Sequence, residues 1–480
     1  MHPSFRSTLL LIVIGLLSSC SSPKTLTSFW MAPMPVWDGV SAQVQTVSIH
    51  VNSQGIIDVI AQNLPALPTD PVVHYQSGVL IPGLINAHIH LLNPPSCKPG
   101  KGFVPTTPLT NARQVLQSGF TTVADMGSWP DLVVSYKTLF SKRVDLGPRL
   151  LIAGPIVTIP GGYPENWIPS EAKKVGAVRF INDPRLLDDL KRWQVDYIKM
   201  GMQEVSFGGK ELPFYSEENL KSFIDQVHHQ GKKFFAHALT RQGYALALGS
   251  NADGILHGSH ELLDEKTLNA MAQKNMPVIP TVWVWKNAWD VPENDLDQMY
   301  GWRDQVSKKQ WDQWQLYLND YKNSGDSFPS SLVDEEGIKK NLAQQKHRIL
   351  QKNIQAWKEA GIPFAFGTDA PFCFNTAFNS FEEIRELKKA GLSNKDVLNM
   401  LTQNAARFLG IENQAGSIQV GRKADMVVVL GDPFADIHVL EKPVAVYREG
   451  HLITKAPLGL KEKFLSVYLL VKAFLKTVVS

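Results

Sequence analysis

Between residues 83 and 410 the chain alternates short, nearly continuous apolar runs with stretches of helical spacing. Eight runs stand out: "LINAHIH", "FTTVADM", "RLLIAGPI", "VDYIKM", "KFFAHA", "ADGILH", "MPVIPTV" and "IPFAFGTDA". Runs this short with so few polar positions read as strands buried on both faces. The segments between them, such as "SEENLKSFIDQVHHQGK" and "NSFEEIRELKKAG", carry the amphipathic period of a helix. Eight alternating units predict an α/β fold, a (β/α)8 TIM barrel over 83–410. The alternative is a doubly wound open sheet, but no G-x-G-x-x-G follows any of the runs, which removes its commonest ligand signature.

The flanks keep a different rhythm. Residues 28–82 alternate in short bursts ("QTVSIHVNSQGIIDVIAQ") broken by Gly and Asn-Ser turns, and 411–458 behave alike ("AGSIQVGRKADMVVVLGDPF", "PVAVYREGHLI"). Both read as small antiparallel strands. They are expected to be two halves of one β-sandwich domain built from both chain ends. The last stretch, 459–480, contains "FLSVYLLVKAFLKTVV", whose apolar run is broken by Lys472 and Lys476. That is too interrupted to span a bilayer. A surface-seeking amphipathic helix and a packed terminal helix both fit, and packing is the expectation.

Composition changes this picture little: 44% hydrophobic and 19% charged residues over 480 positions form an ordinary globular balance. The net charge of +3 and the lack of like-charge blocks give no reason to expect a nucleic-acid partner. The N-terminus changes it more. Arg6 precedes an apolar run from Leu9 to Leu17, too short for a transmembrane helix and suited to a targeting segment. The run ends in Leu17-Ser18-Ser19-Cys20, which resembles the lipobox of bacterial lipoproteins. That resemblance implies a signal peptide over 1–19, a lipid anchor on Cys20, a Ser-rich tether over 20–27 and a place in the bacterial cell envelope, on an outer membrane.

The chemistry sits where a barrel would put it. His88 and His90 are two residues apart on the first run, so their side chains share one face and converge. Lys199 ends the fourth run, His237 the fifth, His257 the sixth, and Asp369 the eighth. Barrel chemistry gathers at the C-terminal ends of strands, and core histidines scattered by chance would not follow that rule. Four imidazoles and a carboxylate suit Zn²⁺ or a similar divalent ion. Read alone, Lys199 is equally a snorkelling or ion-paired lysine. Buried, its amine would lose charge and become able to take up carbon dioxide as a carbamate.

These residues, with "GVLIPGLINAHIH", "GTDAP" and the tail "LTQNAARFLGIENQAGSIQVGRKADMVVV", resemble the amidohydrolase superfamily, nearest its Xaa-Pro dipeptidase and imidazolonepropionase-like branch. The resemblance implies a binuclear metal hydrolase acting on an amide C–N bond in dipeptides or N-acyl amino acids. It implies one metal on His88, His90 and Asp369, a second on His237 and His257, and carbamylated Lys199 bridging both. A water shared by two such metals approaches neutrality in pKa and attacks as hydroxide, with Asp369 as base and then acid. Cyclic amides and lactones are alternative substrates, and a non-catalytic binding lipoprotein would be expected to have a broken ligand.

Three further residues are candidates for substrate contact. Tyr163 in "TIPGGYPENW" stands where this branch often carries His; Arg241 could meet a substrate carboxylate; Trp283 directly follows the seventh run and opens a segment with six of the twelve tryptophans between 283 and 314. Cys97 and Cys373 follow the first and eighth runs, neighbours in a closed barrel, so a disulfide between them is a further expectation. Members of the superfamily often associate, which makes a homo-oligomer an open possibility.

Overall fold

The computed structural model describes residues 26–93, 103–165, 168, 170–206, 210–289, 336–371 and 380–479. Cys20, Cys97, Cys373 and most of the tryptophan-rich segment lie outside the described residues.

The chain opens on β1 (Phe29–Val36), β2 (Gln45–Val51), β3 (Ile57–Ala61), β4 (Val72–Val73) and β5 (Val79–Pro82). β6 (Leu84–Ile89), β7 (Phe120–Asp125) and β8 (Arg149–Ile152) form a three-stranded parallel sheet. β9 (Ile156–Thr158), β10 (Val178–Phe180), β11 (Tyr197–Gly201), β12 (Lys233–His237), β13 (Gly254–Leu256) and β14 (Val278–Ile279) form a six-stranded parallel sheet in the order β10-β9-β11-β12-β13-β14. β15 (Met426–Val429), β16 (Ala445–Arg448) and β17 (His451–Leu452) return to the first strands.

The two chain ends do meet. One eight-stranded sheet runs β17-β16-β15-β5-β1-β2-β3, with β4 on β1. Hydrogen bonding is continuous through β5, which takes β15 on one side and β1 on the other. All eight strands therefore belong to one continuous sheet.

The parallel region differs from the expected eight strands in two ways. The third run divides into β8 and β9. The eighth run, 362–370, is not a regular strand and bridges its neighbours singly, at Phe364 to Val278 and at Ala370 to Ile89. Near its end lies Asp369, whose left-handed backbone (φ 57°) an extended strand could not pass through. Backbone bonds still tie the sheet edges. Ala87 N–H donates to Phe366 O (2.8 Å), Ala365 N–H to Val278 O (3.0 Å) and Asp196 N–H to Ile152 O (2.8 Å). Ile85, Ala124, Tyr197, Phe235, Leu256 and Ile279, drawn from both parallel sheets, pack into one buried cluster.

Four helices matter below. They are α1 (Pro130–Lys142), α2 (Val282–Trp289), α3 (Ser380–Lys389) and α4 (Leu460–Val479).

Candidate metal centre

β6 carries His88, His90 follows its last residue, and both are buried. Their Nε2 atoms each lie 3.0 Å from the same oxygen, Asp369 Oδ1. The backbone fixes this meeting: Thr368 and Asp369 N–H both donate to His88 O (3.0 and 2.9 Å), and His90 N–H donates to Ala370 O (2.7 Å). The three residues offer ligating atoms within 4.8 Å of one another.

Proton bookkeeping favours a cation here. His90 Nδ1 lies 2.8 Å from Gly127 O, which can only accept, so that nitrogen carries hydrogen. A neutral His90 then turns an Nε2 lone pair toward a carboxylate lone pair, a contact relieved only by a proton or a metal ion. The donor set therefore fits a divalent metal.

The remaining expected ligands complete a continuous cluster. Lys199 Nζ is 3.1 Å from His88 Nε2 and only 3% exposed. Burial lowers its ammonium to about 8, against the pull of Asp369 and Asp125. The His237 and His257 rings are 4.4 Å apart, and His257 is 4.8 Å from His88. Burial brings His88 down to about 3 and holds His237 and His257 well below the usual histidine range, with Lys199 adding to each. All three are neutral imidazoles, as metal ligands must be. Burial alone would raise Asp369, but its coupling to the adjoining His88 and His90 holds it well below the usual carboxylate range.

Around this cluster lie residues that the sequence did not single out. His257 Nδ1 meets Thr281 Oγ1 at 2.7 Å, and His237 Nε2 faces Gln203 Oε1 at 3.2 Å. Asp125 accepts from Leu91 N–H, Gly127 N–H and Ser128 Oγ–H, fixing the loop whose carbonyl orients His90. Neutral Gln and Thr are too common to signal such roles by type.

The substrate candidates divide. Tyr163 stacks on His237 with centroids 4.2 Å apart. Arg241 is exposed, and its Nε lies 3.4 Å from Glu261 Oε2. At the end of the seventh run, the ring set edge-on against His257 (5.4 Å) belongs to Trp285. Trp283 instead carries Lys286 over its face at 5.2 Å. Trp283 was chosen because the seventh run ends near it; the chain turns helical at Val282, so that position does not fix which side chain faces the histidines.

Residues 79–453 match the Amidohydrolase family. An uncharacterized protein of Mycobacterium tuberculosis is 22% identical over 434 residues, covering 86% of this chain and 98% of that one. Among solved structures, a Xaa-Pro dipeptidase with methionine bound in its active site superposes with a TM-score of 0.69 at 22% identity, over 89% of this chain and 99% of that one. A molinate hydrolase gives 0.67 at 19%, over 90% and 97%. At these identities the structures speak for a shared α/β fold. The match over most of its length makes the chain a member of the Amidohydrolase family.

Proposed function

We propose that this protein hydrolyses an amide C–N bond in dipeptides or N-acyl amino acids, using two divalent metal ions, with Zn²⁺ the metal expected. The observation that carries the reading is the convergence of His88 and His90 Nε2 on Asp369 Oδ1, with Lys199 3.1 Å from His88. When bound there, divalent ions supply Lewis acidity for the amide carbonyl and lower the pKa of a coordinated water.

The protein's own groups do the rest. Asp369 is ionised and can take the proton of the attacking water, then return it to the leaving nitrogen. Lys199, lowered to about 8, is a free amine in about a tenth of molecules at pH 7. That amine can add to carbon dioxide and lose a proton, becoming a carbamate that bridges the His88 and His237 sides. Tyr163 and Trp285 wall the histidine cluster with rings, which suits a substrate with apolar parts.

The wider architecture in this reading is a closed (β/α)8 barrel, with the sheet of both chain ends curled into a small sandwich. The bonds between sheet edges and the shared core support the first part, and the stacking of Phe29 on Tyr447 at 5.7 Å supports the second. The leader ending at Cys20 supports export and lipid anchoring in the cell envelope.

The deciding experiment is turnover of a dipeptide and N-acyl amino acid panel by the Zn²⁺-loaded protein, with metal content measured. Hydrolysis of panel members that disappears in Asp369→Asn supports the reading. Two bound metals with turnover confined to lactams or lactones would replace the substrate class. A protein that binds no metal sinks the proposal.

A further inference from the structure

The terminal helix α4 has two apolar faces, of which one is occupied. Leu469 and Ala473 are buried toward α1; Ser466 Oγ meets Tyr136 OH at 2.5 Å, and Thr477 Oγ1–H donates to Asp131 Oδ2 at 2.9 Å. This half fulfils the expectation of packing.

The other half does not. Phe464, Val467, Val471, Phe474, Leu475 and Val478 are 42–67% exposed. At about 100° per residue they form one stripe along the outer face. An open apolar stripe of this extent calls for a partner.

The borders of the stripe say what kind. Lys461 and Lys472 fall along one edge and Lys463 along the other, all exposed; Lys476 lies farther round, 3.3 Å from Asp131. The helix carries a single carboxylate, Glu462, which faces Arg143 at 4.0 Å. Two copies meeting stripe to stripe would bring lysine borders together with no carboxylates to match them. Anionic headgroups match them well. Among the described residues no helix is long and apolar enough to cross a membrane, so α4 would lie on one.

The path of the chain agrees. A Cβ built on Gly450 would meet Leu26 Cδ2 at 2.8 Å, which places the first described residue beside the β16–β17 turn. From that turn Arg448 donates to Phe140 O (2.8 Å) and Gly147 O (2.6 Å), on and just past the last turn of α1, near the Arg143 that faces Glu462. Leu26 and the start of α4 therefore share a side of the molecule. Residues 20 to 26 span at most about 20 Å, so a chain held at Cys20 keeps that side near the bilayer.

We propose that the open face of α4 lies in the interface of an anionic phospholipid bilayer, with its lysines at the phosphates and its apolar stripe among the upper acyl chains. The proposal rests on the envelope placement above only for which side faces the membrane.

The test uses the full chain with Cys97→Ser and Cys373→Ser, spin-labelled through Val471→Cys or Phe474→Cys. The chain without the added cysteine gives the background signal. It is mixed with vesicles of phosphatidylethanolamine and phosphatidylglycerol, and label accessibility to oxygen and to a water-soluble nickel chelate is read. Expected is a several-fold loss of nickel access with a gain in oxygen access, weakened when phosphatidylcholine replaces both lipids. Labels that stay open to nickel on vesicles overturn the proposal. Labels shielded equally without vesicles, with spin–spin broadening between copies, overturn it in favour of a dimer. The mass of the N-terminal peptide reports acylation of Cys20 separately, so failure of the anchor and failure of the helix contact remain distinct.

Discussion

The two halves of the histidine cluster are held in different ways. His88, His90 and Asp369 are fixed by main chain: His88 O accepts two N–H bonds, His90 Nδ1 meets Gly127 O, and Ala370 O accepts from His90 N–H. His237 and His257 also have main-chain bonds, from Met202 N–H to His237 O and from His257 N–H to Ile279 O, but their rings are met by side chains, namely Tyr163 stacked on one ring, Thr281 bonded to the other and Trp285 at its edge. Backbone restraint survives most substitutions, whereas side-chain restraint can be exchanged one residue at a time. The first half is thus a rigid anchor, and the second is where metal affinity and substrate preference can vary without disturbing the fold.

The largest effect should come from the rigid half. Asp369→Asn removes the proton acceptor while keeping the side-chain shape, and Asn tolerates the left-handed backbone found there. We expect kcat/KM to fall by about 10²–10⁴-fold, with folding retained by circular dichroism. A loss below tenfold would mean that Asp369 does not handle the proton.

Thr281→Val attacks the other half. It deletes the hydroxyl at 2.7 Å from His257 Nδ1 and keeps the β-branched shape at a strained position (φ 47°). Losing such an outer partner typically weakens metal binding by about 10–100-fold. Metal titration should resolve two classes of site in the variant, one near parental affinity and one weakened. Equal weakening of both would break the distinction between the halves.

How much of this the sequence carried follows the same division. The convergence of His88, His90, Lys199, His237, His257 and Asp369 was legible because titratable residues are rare at or near the ends of apolar runs. The α/β class was legible from the alternation of run and helix. The supports were not, since Gln203 and Thr281 are neutral residue types with many ordinary uses. Trp285 was missed because the choice of Trp283 assumed a strand, and one change from strand to helix rotates every later side chain. The carboxylates of α3 were hidden by their own chemistry. "NSFEEIRELKKAG" reads as an amphipathic helix, a pattern whose carboxylates ordinarily meet water, yet Glu382, Glu383 and Glu386 are at most 4% exposed.

A smaller effect separates stacking from hydrogen bonding at Tyr163. Tyr163→Phe keeps the ring on His237, and Tyr163→Leu removes it. An aromatic pair contributes about 0.5–1.5 kcal/mol, or about 2–10-fold. KM should rise by that much in the Leu variant and stay near parental in the Phe variant. An equal loss in both would assign the work to the phenol oxygen, making Tyr163 a hydrogen-bond donor to substrate.

The smallest effect concerns what holds Trp285 in place. Glu383 on α3 accepts from Val282 N–H (2.9 Å) and Trp283 N–H (2.7 Å), the first amides of α2. Those bonds favour the carboxylate, but burial outweighs them and raises the group to about 8, with Glu386 and Asp369 pushing the same way. An acid raised above its unfolded value of 4.5 binds more protons folded than unfolded. Its contribution to stability is therefore complete below pH 4.5 and is lost as pH rises through about 8. Glu383→Gln cannot titrate and gives up one of the two bonds, because its amide nitrogen cannot accept. The Tm of the parent should exceed that of the variant by a few degrees at pH 5, and the gap should narrow steadily toward pH 9. A gap that widens with pH would mean that the carboxylate is ionised throughout and that charge at the helix start outweighs burial. The side-chain half of the cluster would then be held by an ion rather than by a neutral acid, and Trp285 would be steadier in base than in acid.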